Sequence, residues 1–375
     1  MKNNSFPEHR IIEGPVLNSL EVLRDQLLGR VEMIFVDAYP WLRNKDRQKD
    51  LLHLGECLWD LHDLLRSDGV LFLCAEESVQ AALKTICDEI FGNFRYAGTL
   101  CWLKKKRPSF LSRGIIPMIE FVHAYGKNQP VILHAGTPRR VGAQPLLKAS
   151  NPVRTLLFPG KLVHIDLEDG AYSPEYFKVR RGRPTLLEPI QVQQQLIQNP
   201  FRLRGNFVWT QPFLQRALKE TIRIYLHPRT LSPRVIRNPA EESCGVPSFL
   251  DGRTFQATYE DARRQIREIL GQESFPASKP EALIRYLMRI GTSKGALILA
   301  PQASLGEVLH ATLALNAEDD GQRQCLLFEE DPRRIDWTKK RVQRLIHGYS
   351  DAQGKWFPGW PQNEFKVCRI ESAGH

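Results

Sequence analysis

No apolar run in the 375-residue chain approaches the ~18 to 20 residues that a membrane helix needs. The polar start from Met1 to Arg10 lacks the apolar stretch of a secretory signal, so a cytoplasmic protein without a membrane attachment is expected. Cys-x-x-Cys pairs are absent too: the seven cysteines (57, 74, 87, 101, 244, 325 and 368) are scattered and odd in number, which argues against a disulfide framework and for reduced, mostly buried thiols. His53, Cys57 and His62 lie close enough along one helix to suggest a metal site, but no fourth ligand stands near them and no metal is expected. Internal repeats and low-complexity tracts are missing. Glycine and proline, 25 of each, are at ordinary levels, which excludes collagen-like and linker-dominated chains. What is there, 42% hydrophobic and 25% charged residues, is the composition of a folded chain with one large core or two domains.

The charge is segregated. The whole chain carries a formal +10, yet residues 101–240 contain 23 basic and 7 acidic side chains, leaving the flanks mildly acidic. The basic clusters are Lys104-Lys105-Lys106-Arg107, Arg139-Arg140, Lys178 with Arg180, Arg181 and Arg183, Arg202 with Arg204, and Arg229, Arg234 and Arg237. Trp102, Phe110, Tyr176, Phe177, Phe201, Trp209 and Gln193 to Gln195 lie among them. Lysine and arginine neutralise phosphates, while glutamine, asparagine and arginine can read base edges, so this block is expected to meet a polyanion. The plainer alternative is a basic surface that serves solubility alone.

Hydrophobic periodicity predicts an α/β core interrupted by that block. Strands are expected at Val31 to Val36, Val70 to Cys74, Ala97 to Trp102, Ile119 to Tyr125, Ala296 to Ala300 and Gln324 to Phe328, with an edge strand at Phe365 to Ile370. Helices are expected at Leu20 to Leu28, from Leu51 to Ser67 with Asp68-Gly69 as the stop, and at Glu77 to Phe91, Glu281 to Ile290, Glu307 to Leu315 and Thr338 to Ile346. Such alternation implies a mostly parallel, doubly wound sheet. The expected divisions are 1–130 and 277–349 as two halves of one core, 131–276 as an insert, and 350–375 as a tail.

Several segments carry a resemblance in their order along the chain. They are Ile11-Ile12-Glu13-Gly14, Val31 to Asp37, Leu65 to Phe72, Phe121 to Asn128, Leu203 to Thr210, Phe275 and Lys279 to Ile284. Together they resemble the DNA adenine-N6 methyltransferases of the type III restriction-modification Mod class. The resemblance implies a Rossmann-like methyltransferase fold with an inserted target-recognition region. It implies Asp37 as acceptor for the target amine and Tyr39 or Trp41 as the ring that stacks on a flipped base. It also implies Gly14, Phe275, Gly306 and Glu329 as contacts to S-adenosylmethionine.

The chain departs from the family where chemistry would occur. In place of Asp-Pro-Pro-Tyr stands Asp37-Ala38-Tyr39-Pro40-Trp41. The glycine loop reads Ala300-Pro301-Gln302-Ala303-Ser304-Leu305-Gly306-Glu307-Val308 where the family has Asp-Pro-Phe-Ala-Gly-Ser-Gly-Thr-Thr. Glu307 brings a negative charge toward the place of the ligand's carboxylate, and Ser304 with Glu307 has capping-box spacing. Near the start, Glu13-Gly14-Pro15-Val16 replaces a polar Gly-Asp-Asn. The expectation is a pseudo-methyltransferase: a DNA-binding subunit without cofactor, working with a paralogous methyltransferase subunit, a helicase-nuclease subunit or both, or with a second copy of itself, in restriction-modification or antiviral defence. The alternative is an active, S-adenosylmethionine-dependent adenine-N6 methyltransferase. The aromatic tail Lys355 to Trp360 with its strand-like continuation would either pack on its own core or meet a partner.

Overall fold

The computed structural model describes residues 8–42, 46–108, 114–128, 131, 133, 144–177, 182–219, 222–236, 245–271 and 275–370. The chain divides into two compact units, residues 1–136 with 245–375 and residues 137–244. Residues 245–270, expected in the insert, supply a strand and a helix of the first unit.

The first unit is built on a sheet of nine strands. In chain order these are β1 (His9–Glu13), β2 (Val31–Asp37), β3 (Leu65–Ala75), β4 (Tyr96–Leu103), β5 (Ile119–Gly126), β6 (Phe249–Asp251), β7 (Leu297–Ala300), β8 (Gln324–Glu329) and β9 (Phe365–Arg369). Across the sheet they run β6-β4-β5-β3-β2-β7-β8-β1-β9. Only β5 is antiparallel to its neighbours. The mostly parallel sheet expected from the sequence is thus present. The apolar run of β2 is buried on both faces, as a central parallel strand must be. Met33, Phe35, Val70 and Phe72 face one core; Ile34, Val36, Leu71 and Leu73 face the other.

Three helices cover the second of these cores: α1 (Val16–Leu27), α2 (Arg47–Leu64) and α3 (Glu77–Phe91). Four cover the first: α4 (Tyr259–Leu270), α5 (Glu281–Gly291), α6 (Glu307–Asp319) and α7 (Pro332–His347). Helix α2 ends at Leu64, earlier than Asp68-Gly69 suggested. These residues lie instead in an irregularity of β3, where pairing with β2 jumps from Val31↔Leu65 to Met33↔Val70. Gly69 is required there, because a Cβ would sit 2.9 Å from the Val31 carbonyl oxygen. Strand β9 is the sheet edge the sequence predicts, pairing with β1. Phe357 stacks on Tyr349 at 4.9 Å, Trp360 lies 5.9 Å from His310, and Trp356 is exposed.

Among its described residues the second unit is mostly β, with the short helix Gln211–Ala217 and a 3-10 turn at Pro174–Tyr176. It has a three-stranded sheet (Thr185–Leu186, Phe201–Gly205, Arg154–Phe158) and a seven-stranded sheet. Its core holds Phe158 stacked on Phe201 at 5.5 Å, with Ile190, Ile197 and Ile224.

Candidate functional site

The strand order reverses between β2 and β7, and in open α/β sheets ligands bind outside the carboxyl ends of strands at such a point. Asp37 ends β2 there. Its Oδ1 accepts from the Lys279 ammonium at 2.8 Å and from the Tyr39 amide at 3.2 Å. Lys279 also lies 3.2 Å from Glu120 Oε2 and donates to the Tyr259 hydroxyl at 2.9 Å. Tyr259 donates to Glu120 Oε1 at 3.0 Å, and Lys104 donates to the same oxygen at 3.0 Å. Lys279 and Glu120 are each 2% exposed at the side chain.

The result is a charge-balanced cluster of two carboxylates and two ammoniums that ties β2, β4, β5 and α4 to the segment before α5. Burial works against charge at Lys279, yet Asp37, Tyr259 and Glu120 together hold its pKa well above the ordinary lysine value. Burial likewise pushes the Glu120 carboxyl up, but Lys279 and Lys104 outweigh it and hold the group below its usual range.

Lys104 therefore corrects the sequence reading: this lysine, expected on DNA, is a buried ion-pair partner. Of its neighbours, Lys105 is half-buried, Arg107 is exposed and Lys106 pairs with Asp261 at 2.6 Å. Sequence reasoning missed Lys279, Glu120 and Tyr259. The signal for Lys279 was its place in the Lys279-Pro280-Glu281 segment, whereas Glu120 and Tyr259 lie in otherwise ordinary amphipathic elements.

The loop after β7 shows what its substitutions do. Ser304, where the family has glycine, adopts a left-handed φ of 52°, and Gly306 follows at 75°. At Gly306 a Cβ would meet Thr338 Cγ2 at 2.9 Å. The Ser304 amide donates to Glu329 Oε2 at 3.0 Å, and the Leu305 amide donates to Glu307 Oε2 at 3.0 Å. The expected capping box between Ser304 and Glu307 does not form. Helix α6 starts at Glu307 with Gly306 as its N-cap and no side-chain cap, which leaves Glu307 two residues too early for that role.

Both carboxylates are buried, and burial pushes both pKa values up, against the pull of Arg341 on Glu307 and of Arg334 on Glu329. Arg341, itself 1% exposed, donates to the Leu305 carbonyl at 3.1 Å and contacts His310 Nδ1 at 2.9 Å. This braces the loop from behind.

A cleft of about 540 Å³ opens beside this loop at the ends of β1, β2, β7 and β8, lined by Pro15, Trp41, Asp50, Gln302, Glu329, Glu330 and Arg334 among others. It brings together Glu329 and Trp41 of the expected site. The Gly14 amide donates to the Glu329 carbonyl at 3.0 Å. Tyr39 is 44% exposed, and Trp41 rests against His53 at 5.5 Å. Phe275 lies outside the cleft lining and packs edge-on against Trp337 at 5.5 Å.

In the second unit, Arg183, Arg202 and Arg204 are exposed. Arg202 and Arg204 share one face of the three-stranded sheet, and Arg202 pairs with Glu188 at 3.2 Å. The expected contacts Arg139, Arg140, Lys178, Arg180 and Arg181 lie outside the described residues. Among the described residues, no helix is long and apolar enough to cross a membrane.

A doubly wound sheet with an acidic strand end and a glycine-containing loop after β7 frames the candidate site, and the chain carries an inserted second unit. The chain belongs to the N6/N4 DNA methylase family, whose model matches residues 39–340. It is 24% identical over 336 residues to the type III restriction-modification enzyme StyLTI Mod subunit of Salmonella typhimurium, covering 87% of this chain and 46% of that one. To the EcoPI Mod subunit of Escherichia phage P1 it is 23% identical over 335 residues, covering 77% and 48%. The chain thus spans about half the length of these curated relatives. Among solved structures, TTHA0409, a DNA modification methylase of Thermus thermophilus, aligns over 96% of this chain and 99% of its own at 15% identity and a TM-score of 0.45.

Proposed function

We propose that this chain is a methyltransferase-like subunit that binds duplex DNA without transferring methyl groups. It would act beside a paralogous methyltransferase subunit, a helicase-nuclease subunit or both in a restriction-modification or phage-defence complex. The observation that carries this reading is the loop after β7, whose Ser304 and Leu305 amides are already taken by the chain's own buried carboxylates, Glu329 and Glu307. A loop that receives the anionic end of S-adenosylmethionine must offer such amides free. The cleft beside it carries four carboxylates, Asp50, Glu329, Glu330 and Asp331, against one guanidinium, Arg334, an acidic lining that disfavours a ligand carboxylate. On this reading the loop and the acidic cleft do not fit the cofactor.

Asp37 is similarly engaged, since the Lys279 ammonium and the Tyr39 amide both donate to its Oδ1. DNA binding is assigned to the second unit and to Arg107, and its affinity should fall steeply with salt, with a log-log slope of about 0.9 per phosphate contact.

Calorimetry with S-adenosylmethionine, gel shifts on a duplex and a tritium methyl-transfer assay test the reading together. The expected results are no cofactor binding, salt-sensitive duplex binding and no methyl transfer. Micromolar cofactor binding refutes it. The active-enzyme reading is favoured by one observation, the survival of a carboxylate at the end of β2 with Tyr39 exposed beside it, and methyl transfer abolished by Asp37→Asn would establish it.

A further inference from the structure

Five adjacent strands of the second unit's seven-stranded sheet, Pro233–Ile236, Arg223–Leu226, Val163–Ile165, Leu196–Ile197 and Ile190–Gln193, alternate buried and outward-facing residues. Val163, Ile197, Val192, Ile224 and Val235 point into that unit's core. Between those buried positions an outward row crosses five neighbouring strands in direct register: Arg234, Tyr225, His164, Leu196 and Gln193. Tyr225 and His164 stack on each other with ring centroids 5.1 Å apart and planes at 22°, and both rings are partly exposed. Arg223 is exposed two residues before Tyr225, and Gln191 two residues before Gln193. None of the seven strands contains Asp or Glu.

A second, independent feature stands at the end of the row. The two-residue turn Gln194-Gln195 holds both residues at positive φ, 51° and 59°, where Asn-Gly is the favoured pair. The Gln194 amide is fixed on Asp169 Oδ1 at 2.7 Å. Backbone strain of this kind persists where the surrounding structure enforces it, and it concentrates at functional surfaces.

Geometry selects the ligand. Five strands at about 4.8 Å spacing make the row roughly 19 Å long. The major groove of B-DNA is only about 12 Å wide and admits a helix or a two-stranded ribbon, so this face cannot enter it. An unpaired strand can lie across such a face, with its bases on aromatic rings and its phosphates on arginines. We propose that this face binds unpaired DNA: Tyr225 and His164 form the stacking platform, Arg223 and Arg234 meet phosphates, and Gln191 and Gln193 meet base edges. The proposal rests on the DNA-binding reading above and adds to it a second, single-strand mode.

Fluorescence anisotropy on the full chain tests it, with a labelled mixed-sequence 12-nucleotide single strand and the duplex of the same sequence as probes. Tyr225→Ala should weaken single-strand binding about tenfold, Tyr225→Phe should change it by less than about twofold, and the duplex should be less affected than the single strand by either variant. His164→Ala, on the neighbouring strand, should also weaken single-strand binding, and thermal melts identify any variant that has lost its fold. Unchanged single-strand affinity in folded Tyr225→Ala and His164→Ala overturns the proposal, as does equal loss on both probes. A wild-type chain that binds the duplex but not the single strand overturns this inference alone, whereas one that binds neither overturns the DNA-binding reading as well.

Discussion

Replacing Lys279 by methionine keeps most of the side-chain volume and removes its charge, which leaves Asp37 and Glu120 facing each other across the cluster with Lys104 as the one remaining cation. Lys279 and Glu120 are almost fully buried and Asp37 is 13% exposed, so water cannot screen the surplus negative charge well. Breaking a buried pair by removing one partner costs about 3 to 5 kcal/mol, whereas replacing both partners can be nearly neutral. Lys279→Met should therefore lower unfolding stability by about 3 kcal/mol or more. Adding Asp37→Asn restores the charge balance and should recover about 1 to 3 kcal/mol, a coupling read from the double-mutant cycle. Urea unfolding of the four chains supplies the measurement. A loss below about 1 kcal/mol for Lys279→Met, or additive losses in the double variant, would refute the claim that Asp37 is held as a structural counter-ion.

Ser304→Gly should stabilise the chain by up to about 1 kcal/mol, because glycine adopts the left-handed φ of 52° without the strain a Cβ brings; an unchanged or lowered thermal midpoint would contradict this. Acid sensitivity should involve His9, whose pKa burial lowers from 6.5 to about 4 and whose Nδ1 accepts from the Cys325 amide at 3.2 Å. The unfolded chain binds a proton there more readily than the folded one, so this contribution is full above pH 6.5 and is lost as pH falls toward 4, about 3 kcal/mol over the window. The stability–pH slope between pH 6.5 and 4 should flatten in His9→Gln, and an identical slope in variant and parent would rule His9 out.

The elements legible in the sequence were those whose burial is continuous. Strand β2, helix α3 and strand β8 could be found because a doubly covered sheet demands apolar runs and its helices need one apolar face. Helix α7 begins six residues before the expected Thr338, since its first turn, Pro332-Arg333-Arg334, is set by the proline and by the Asp331 side chain accepting from the Arg333 amide and carries no apolar period. The division of the chain was harder to read. Strand β6 is three residues long and follows Pro247 closely, and its parallel pairing with β4 is what shows that it belongs to the large sheet. Site chemistry followed the same rule. Changes in the glycine loop were visible as letters, but Glu329, 25 residues away, was not visible as the acceptor for Ser304. Nor could Lys104 be distinguished from its neighbours in a run of four cations, because which member of such a run turns inward depends on where β4 ends and on Glu120 across the sheet.

These internal pairings bear on how a methylase scaffold can survive without its ligand. A loop built for a cofactor leaves backbone donors unsatisfied until that cofactor arrives, and each buried orphan donor costs about 1 to 3 kcal/mol. In this chain Glu329 and Glu307 take the loop amides, Arg341 braces the Leu305 carbonyl and Lys279 neutralises the strand-end carboxylate. Under the proposed reading, the substitutions that remove chemistry also remove the need for a ligand to complete the fold. The same reasoning predicts that Glu307→Ala, which frees the Leu305 amide and removes a carboxylate that favours the charged form of buried Arg341, destabilises the apo chain by about 1 to 3 kcal/mol. An undiminished urea midpoint in that variant would show that the carboxylate is not completing the loop, and the argument for a self-sufficient scaffold would fail with it.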